Sequence, residues 1–246
     1  MNSPGQTTHD PGLSANTFAD NPGEGGYGMR RSLVAVACAA LSILLAAASV
    51  AFPQDQKPVQ LAPPQLDGGK PLMQALKERK TSREFSGEPL PAQTLSNLLW
   101  AAFGINRPDS GRRTAPSAVN WQEVDLYVVT AGGTYLYEAK THALTPVVAG
   151  DLRALTGRQA FAKDAPVTLV YVADYARMGR ASQEEKDFYA PADTGFISQN
   201  VYLFCASEGL VTGVRAMIDR PALAKALKLR ADQKIVLAQS VGFPRN

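Results

Sequence analysis

The stretch "DTGFISQNVYLFCASEGL", residues 193–210, decides how this chain folds. It reads as one long, largely apolar helix that opens at about Asp193 and closes at Gly209, a residue suited to the left-handed position that stops a helix. Such a helix is expected at the centre of a domain. Upstream, "PVTLVYVAD" (166–174) is a continuous apolar run with β-branched residues, the pattern of a strand buried on both faces. Downstream, "PALAKALKLR" (221–230) reads as a helix opened by Pro221, and "KIVLAQSVGFP" (234–244) as a last buried strand.

The same reading extends towards the N-terminus. "VDLYVVT" (124–130) and "TYLYEA" (134–139) flank "AGG", a β-hairpin pattern. "PLMQALKERK" (71–80) puts Leu72, Met73 and Leu76 on one helical face, and "PAQTLSNLLWAAFG" (91–104) does the same with Leu95, Leu98, Leu99 and Ala102 behind Pro91. Helices and strands interleave without a regular βαβ period and no internal repeat is present, so the expected class is α+β rather than doubly wound. With 45% apolar and 19% charged residues in 246, the chain can bury a core and is not generally disordered. A net charge of +3, without a Lys/Arg block interleaved with aromatics, argues against nucleic acid as a partner.

Residues 1–28 are rich in Gly, Pro, Asn, Ser and Asp and read as a disordered leader. Residues 29–51, "MRRSLVAVACAALSILLAAASVA", carry two arginines, an Ala/Leu/Val-rich run and a small-residue end, and read as a signal peptide cleaved near Ala51. Leu33 to Phe52 would also be long enough for an uncleaved membrane anchor. Arg30-Arg31-Ser32-Leu33-Val34 fits a twin-arginine export pattern as well as an ordinary secretory one, and Met29 is an alternative start to Met1. An exported, periplasmic protein is the expectation, with the membrane met only in export or through an uncleaved signal. Residues 52–69 look like a Pro/Gly-rich linker, with ordered structure from about Lys70 and one domain over 70–246.

Chemistry narrows by elimination. Beyond the leader and signal, His142 and Cys205 stand alone, so neither a disulfide nor a zinc-type ligand set can form within the domain. Cys205 lies in the apolar "VYLFCAS" and reads as buried and inert rather than redox-active. "GEGGYG" (23–28) has the look of a phosphate loop but no strand before it. A Ser117–His142 hydrolase pair is the remaining nucleophilic reading, without any nucleophile-elbow spacing to support it. What is left is "ERKTSREF" (78–85), where Arg79, Thr81 and Arg83 with Lys80 and Ser82 suit a phosphate or a carbonyl-rich heterocycle. Its competing reading is a solvated basic helix end.

Taken together these segments resemble the FMN-dependent nitroreductase-like family, in particular its branch related to the SagB/ThcOx dehydrogenases. "RKTSREF" is similar to the family's Arg-x-Ser-x-Arg-x-Phe, "RTAPSAVNWQ" (113–122) to its Pro-Ser-x-x-Asn-x-Gln, and residues 193–210 to its central helix running into Gly-Leu. The terminal "VGFP" completes the order, and the matches run from about Leu72 to Pro244. The resemblance implies an intertwined α+β homodimer with a mostly antiparallel central sheet flanked by helices, and one FMN at each of two subunit interfaces.

By motif position, Arg79, Lys80, Thr81 and Arg83 would meet the FMN phosphate and the pyrimidine edge of its ring. Pro116, Ser117, Ala118 and Asn120 would come from the other subunit. Gln159 would bond the ring's polar edge, Arg215 and Ala216 would face its reactive nitrogen, and Arg245 would contact phosphate. Thr81 stands for the usual Ser, Glu123-Val124 for a frequent Pro-Trp, and Ala216 for a common Gly. The implied activity is an oxidoreductase passing hydride from NAD(P)H or another carrier to an organic acceptor such as a nitro or quinone compound. The alternative is a family member that keeps the flavin or the dimer but has lost catalysis.

Overall fold

The computed structural model describes residues 57–245; the leader and signal segments expected over 1–51 lie outside them. Among the described residues, seven strands form one sheet in the order β1-β6-β5-β4-β7-β9-β8, each pairing antiparallel. These are β1 (Val59–Gln60), β4 (Val124–Thr130), β5 (Gly133–Glu138), β6 (Ala143–Ala149), β7 (Val167–Asp174), β8 (Val211–Arg215) and β9 (Gln233–Gly242). The short β2 (Ile105–Arg107) and β3 (Arg112–Arg113) pair separately. Four α-helices complete the fold: α1 (Leu72–Glu78), α2 (Ala92–Phe103), α3 (Gln183–Ser207) and α4 (Arg220–Ala226). The α+β architecture with an antiparallel central sheet flanked by helices, expected from the sequence, is the one observed.

Strand alternation sorts the core into two layers. Leu126, Val128, Leu169 and Tyr171 face α2 and α3, where Leu98, Leu99, Phe103, Ile197 and Val201 cover them. The intervening Tyr127, Val129, Val170 and Val172 face Leu223 and Leu227. β7 is therefore buried at every position, as its unbroken apolar run required. One polar cluster fastens α3 to the sheet: Gln239 Oε1 accepts from Tyr171 (2.6 Å) and Ser198 (2.8 Å), while its Nε2 donates to Thr212 Oγ1 (3.0 Å).

The central helix starts ten residues before the expected Asp193. Ser182 caps it, its hydroxyl accepting from Glu185 N while the Glu185 carboxylate takes the Ser182 N–H. The first turns, "QEEKDFYAP", are polar and contain Pro191, so an apolar pattern cannot reveal them. At the other end Gly209 takes φ +71° and Leu210 N bonds Cys205 O at 2.9 Å, the stop expected from the sequence.

Two further strands escaped the pattern. β6 carries Pro146, tolerated because it sits where the β5–β6 register shifts, and β8 is a short edge strand. Ordered structure also begins before Lys70: β1 pairs with β6, Leu61 joins the core and Gln65 N bonds Asn97. His142 anchors this arm. Its Nε2 meets Ser96 Oγ (2.7 Å) and Ala62 O (3.1 Å), and its Nδ1 meets the Tyr137 hydroxyl (2.9 Å). Leu72, Met73 and Leu76 share a face of α1, yet that face is 62%, 76% and 44% exposed, and only Ala75 of α1 is buried.

Candidate functional site

Two groups of residues stand at different levels of α3. The first gathers where the extended segment after α1 lies along β8. Ser82 N bonds Thr212 O at 2.9 Å, and an added Cβ on Gly213 would stand 2.7 Å from Ser82 O, so only glycine allows this close approach. The approach fixes the segment's side chains. Thr81 Oγ1 lies 2.9 Å from the Tyr202 hydroxyl, which also accepts from Val214 N. Arg79 stacks over the Tyr202 ring at 5.2 Å, and Arg83 reaches the Phe161 ring at 6.0 Å. Neither arginine has a carboxylate partner among the described residues.

Arg215 approaches the same Phe161 ring at 5.6 Å. Its side chain turns inward, donating to Thr156 O (3.0 Å), Thr156 Oγ1 (2.6 Å) and Ser240 Oγ (2.7 Å), and burial pushes it down to about 10. Gly157 packs against this guanidinium, and Gln159 Oε1 lies beside it, buried without a hydrogen-bond partner. Arg158 N bonds Met217 O, tying this turn to the exposed backbone at Ala216. Arg245 bonds Phe85 O at 3.0 Å and pairs with Asp164 at 3.6 Å. Lys80 lines, with Lys70, Glu78, Tyr202 and Thr212, an adjoining cavity of about 470 Å³.

Arg79, Thr81, Arg83, Gln159 and Arg215 are thus brought together. Pro116, Ser117, Ala118 and Asn120 are not. Their loop docks on α3 through Ala118 N, which donates to Asp193 Oδ2 at 2.8 Å. Asp193 precedes Tyr202 by nine positions on the helix, a rise of roughly 13 Å. The loop is self-supporting: Ser117 Oγ accepts from Gln122 N (2.9 Å), Arg113 Nε donates to Gln122 Oε1 (2.8 Å), and Val119, Asn120 and Gln122 hold φ of +51°, +58° and +49°. Pro116 and Asn120 remain exposed.

The Ser117–His142 pairing is corrected here. His142 is committed to Ser96, Ala62 and Tyr137, and Ser117 to its own turn, so the two side chains do not meet. Cys205 is buried, with its thiol pushed far up by burial, in line with the inert reading. Sequence reasoning passed over Phe161 and Tyr202, the rings that gather the guanidinium groups. A lone aromatic between an amide and a helix carries no motif.

Comparison with known proteins shows the family. Residues 76–243 match the model of the nitroreductase family. A Methanocaldococcus jannaschii protein described as a nitroreductase is 30% identical over 170 residues, spanning 65% of this chain and 85% of that protein. A Ralstonia eutropha structure, also described as a nitroreductase, superposes with a TM-score of 0.75 at 39% identity, covering 80% of this chain and 93% of the other. A chain of the Escherichia coli microcin synthetase complex shares the fold alone, with a TM-score of 0.60 at 20% identity over 78% of this chain and 80% of its own. The chain belongs to the nitroreductase family.

Proposed function

We propose that this family member is an FMN-dependent oxidoreductase of the SagB/ThcOx-like kind, acting as an exported homodimer. The observation that carries the proposal is Gln159: a buried amide oxygen without a donor, close to the Arg215 guanidinium and two residues before Phe161, the ring that Arg83 reaches. A buried acceptor left unpaired is costly, and the N–H of a carbonyl-rich ring is the donor it lacks. The unpaired Arg79 and Arg83 supply charge for a phosphate and for the ring's electron-rich edge. Residues and cofactor therefore fit.

When bound, FMN supplies hydride transfer between a reduced donor, NAD(P)H or another carrier, and an organic acceptor such as a nitro or quinone compound. The chain's own groups bind and orient. Arg83 sets positive charge at the ring's polar edge, Arg79 assists, Thr81 is fixed by Tyr202, and Arg215 holds the turn carrying Gln159. Pro116, Ser117, Ala118 and Asn120 sit too far along α3 to close the same site, so a second copy provides them. Exposed apolar side chains on α1 and at Phe188 and Phe196 of α3 offer the surface for that copy.

Purification with a visible spectrum, followed by anaerobic reduction against a panel of donors, tests the reading. A yellow protein whose flavin bleaches is expected; a colourless protein that takes up no FMN overturns it, and a flavin that no donor reduces points to the non-catalytic alternative. Export through residues 29–51 is tested separately, because an Arg30→Lys, Arg31→Lys variant should stay inside the cell if the twin-arginine reading holds.

A further inference from the structure

Glu123 follows the Ser117–Gln122 turn directly, where the resemblance expected proline. Its carboxyl is fully buried, and neither oxygen makes a well-formed hydrogen bond among the described residues, its own backbone N–H being the nearby donor. An ionised carboxylate so placed is strongly disfavoured, so the group keeps its proton. That proton has one acceptor facing it, Asp193 on α3, itself 3% exposed. Asp193 in turn accepts the Ala118 N–H that fastens the loop to the helix.

Burial first, and then the negative charge of Asp193, raise Glu123 to about 7; burial also raises Asp193 above its ordinary value, with the Ala118 N–H and the Glu123 carboxyl opposing that rise. Arg177, the nearby cation, pairs with Asp125 and Asp174 and also donates to Gln122 O at 3.1 Å, a second tie on the loop, and the nearby Tyr175 hydroxyl is committed to Asp187. Thr194 Oγ1, next in the chain to Asp193, is buried without a partner.

We propose that Glu123 and Asp193 share one proton and act as a positioning pair for the Ser117–Gln122 loop, which Asp193 anchors at Ala118 only while Glu123 donates to it. Once Glu123 ionises, two carboxylates face each other in a dry site and repel. Asp193 is then drawn off the Ala118 amide. Three residues in the left-handed region, Val119, Asn120 and Gln122, make the loop ready to relax when that anchor goes. Because this is the loop assigned above to the partner's flavin site, the consequence for cofactor binding rests on that assignment; the order of the loop does not.

Hydrogen exchange of the full chain across the neutral range, corrected for intrinsic rates, reads the loop without any flavin. Protection of the 118–122 amides should fall by up to about tenfold per pH unit as the pH rises towards the Glu123 transition and level off above it, with the β7 amides unchanged. Glu123→Gln, a neutral donor of the same length, should hold loop protection flat and keep FMN affinity constant over the range. A flat profile in the parent, the same fall in Glu123→Gln, or a parallel loss in β7 would overturn the proposal. Absence of FMN uptake at any pH would count against the flavin reading alone and leave the exchange result to decide the proton pair.

Discussion

Gly213 carries no functional group, yet it governs the site. It lets the Arg79–Arg83 segment lie directly on β8, with backbone on both sides and no flexible end to yield. Gly213→Ala should therefore lower stability by about 2 kcal/mol, as overpacking does, and weaken FMN binding by displacing Thr81 from Tyr202. Chemical denaturation and an FMN titration of the same variant check both; unchanged stability with weakened binding would mean that the segment had moved without strain. Residues of this kind are not legible in sequence. Arg79, Thr81 and Arg83 were, because guanidinium and hydroxyl groups at close spacing have a recognisable chemistry. The requirement at Gly213 depends on a segment more than a hundred positions away, and the burial of Glu123 depends on Asp193 across the fold.

Among the elements, the arm before α1 is held by a histidine in a demanding bonding state. His142 must accept at one nitrogen and donate at the other if the Tyr137 hydroxyl and Ala62 O are both to be served. Burial lowers its pKa below the ordinary 6.5, against the smaller opposing effect of its bond to Ala62. A histidine with a depressed folded value binds protons more readily when released, so its contribution is full above about 6.5 and is lost as pH falls. The arm should thus become susceptible to limited proteolysis on acidification, and His142→Phe should make it susceptible at neutral pH too; an arm equally resistant at both would contradict this role. Elements with unbroken patterns, β7 and the apolar part of α3, could be read from the sequence. The polar start of α3 could have been read from Ser182 and Glu185, whose spacing is a cap signature, but β1 and Pro146-containing β6 owe their pairing to the sheet already formed.

At the scale of the whole molecule, two opposite pH dependences meet. A Glu123 held above its ordinary 4.5 contributes stability that is full below about 4.5 and lost as pH rises through about 7, whereas His142 acts in the reverse sense. Below about 6.5 the two contributions oppose each other, and above it the loss at Glu123 stands alone, so stability should fall between about 6.5 and 7 and Glu123→Gln should remove that fall; thermal melts across pH test this. The separation of the two residue groups along α3 is a statement about the assembly, because a single chain brings together only half of the proposed site. An equilibrium FMN titration, with the molecular mass followed at each addition, tests this central claim most directly. The account predicts one FMN per subunit bound by a dimer, with affinity about tenfold weaker in Arg83→Ala, the loss of one charge-assisted contact. No uptake of FMN, or full uptake by a monomer, would contradict it.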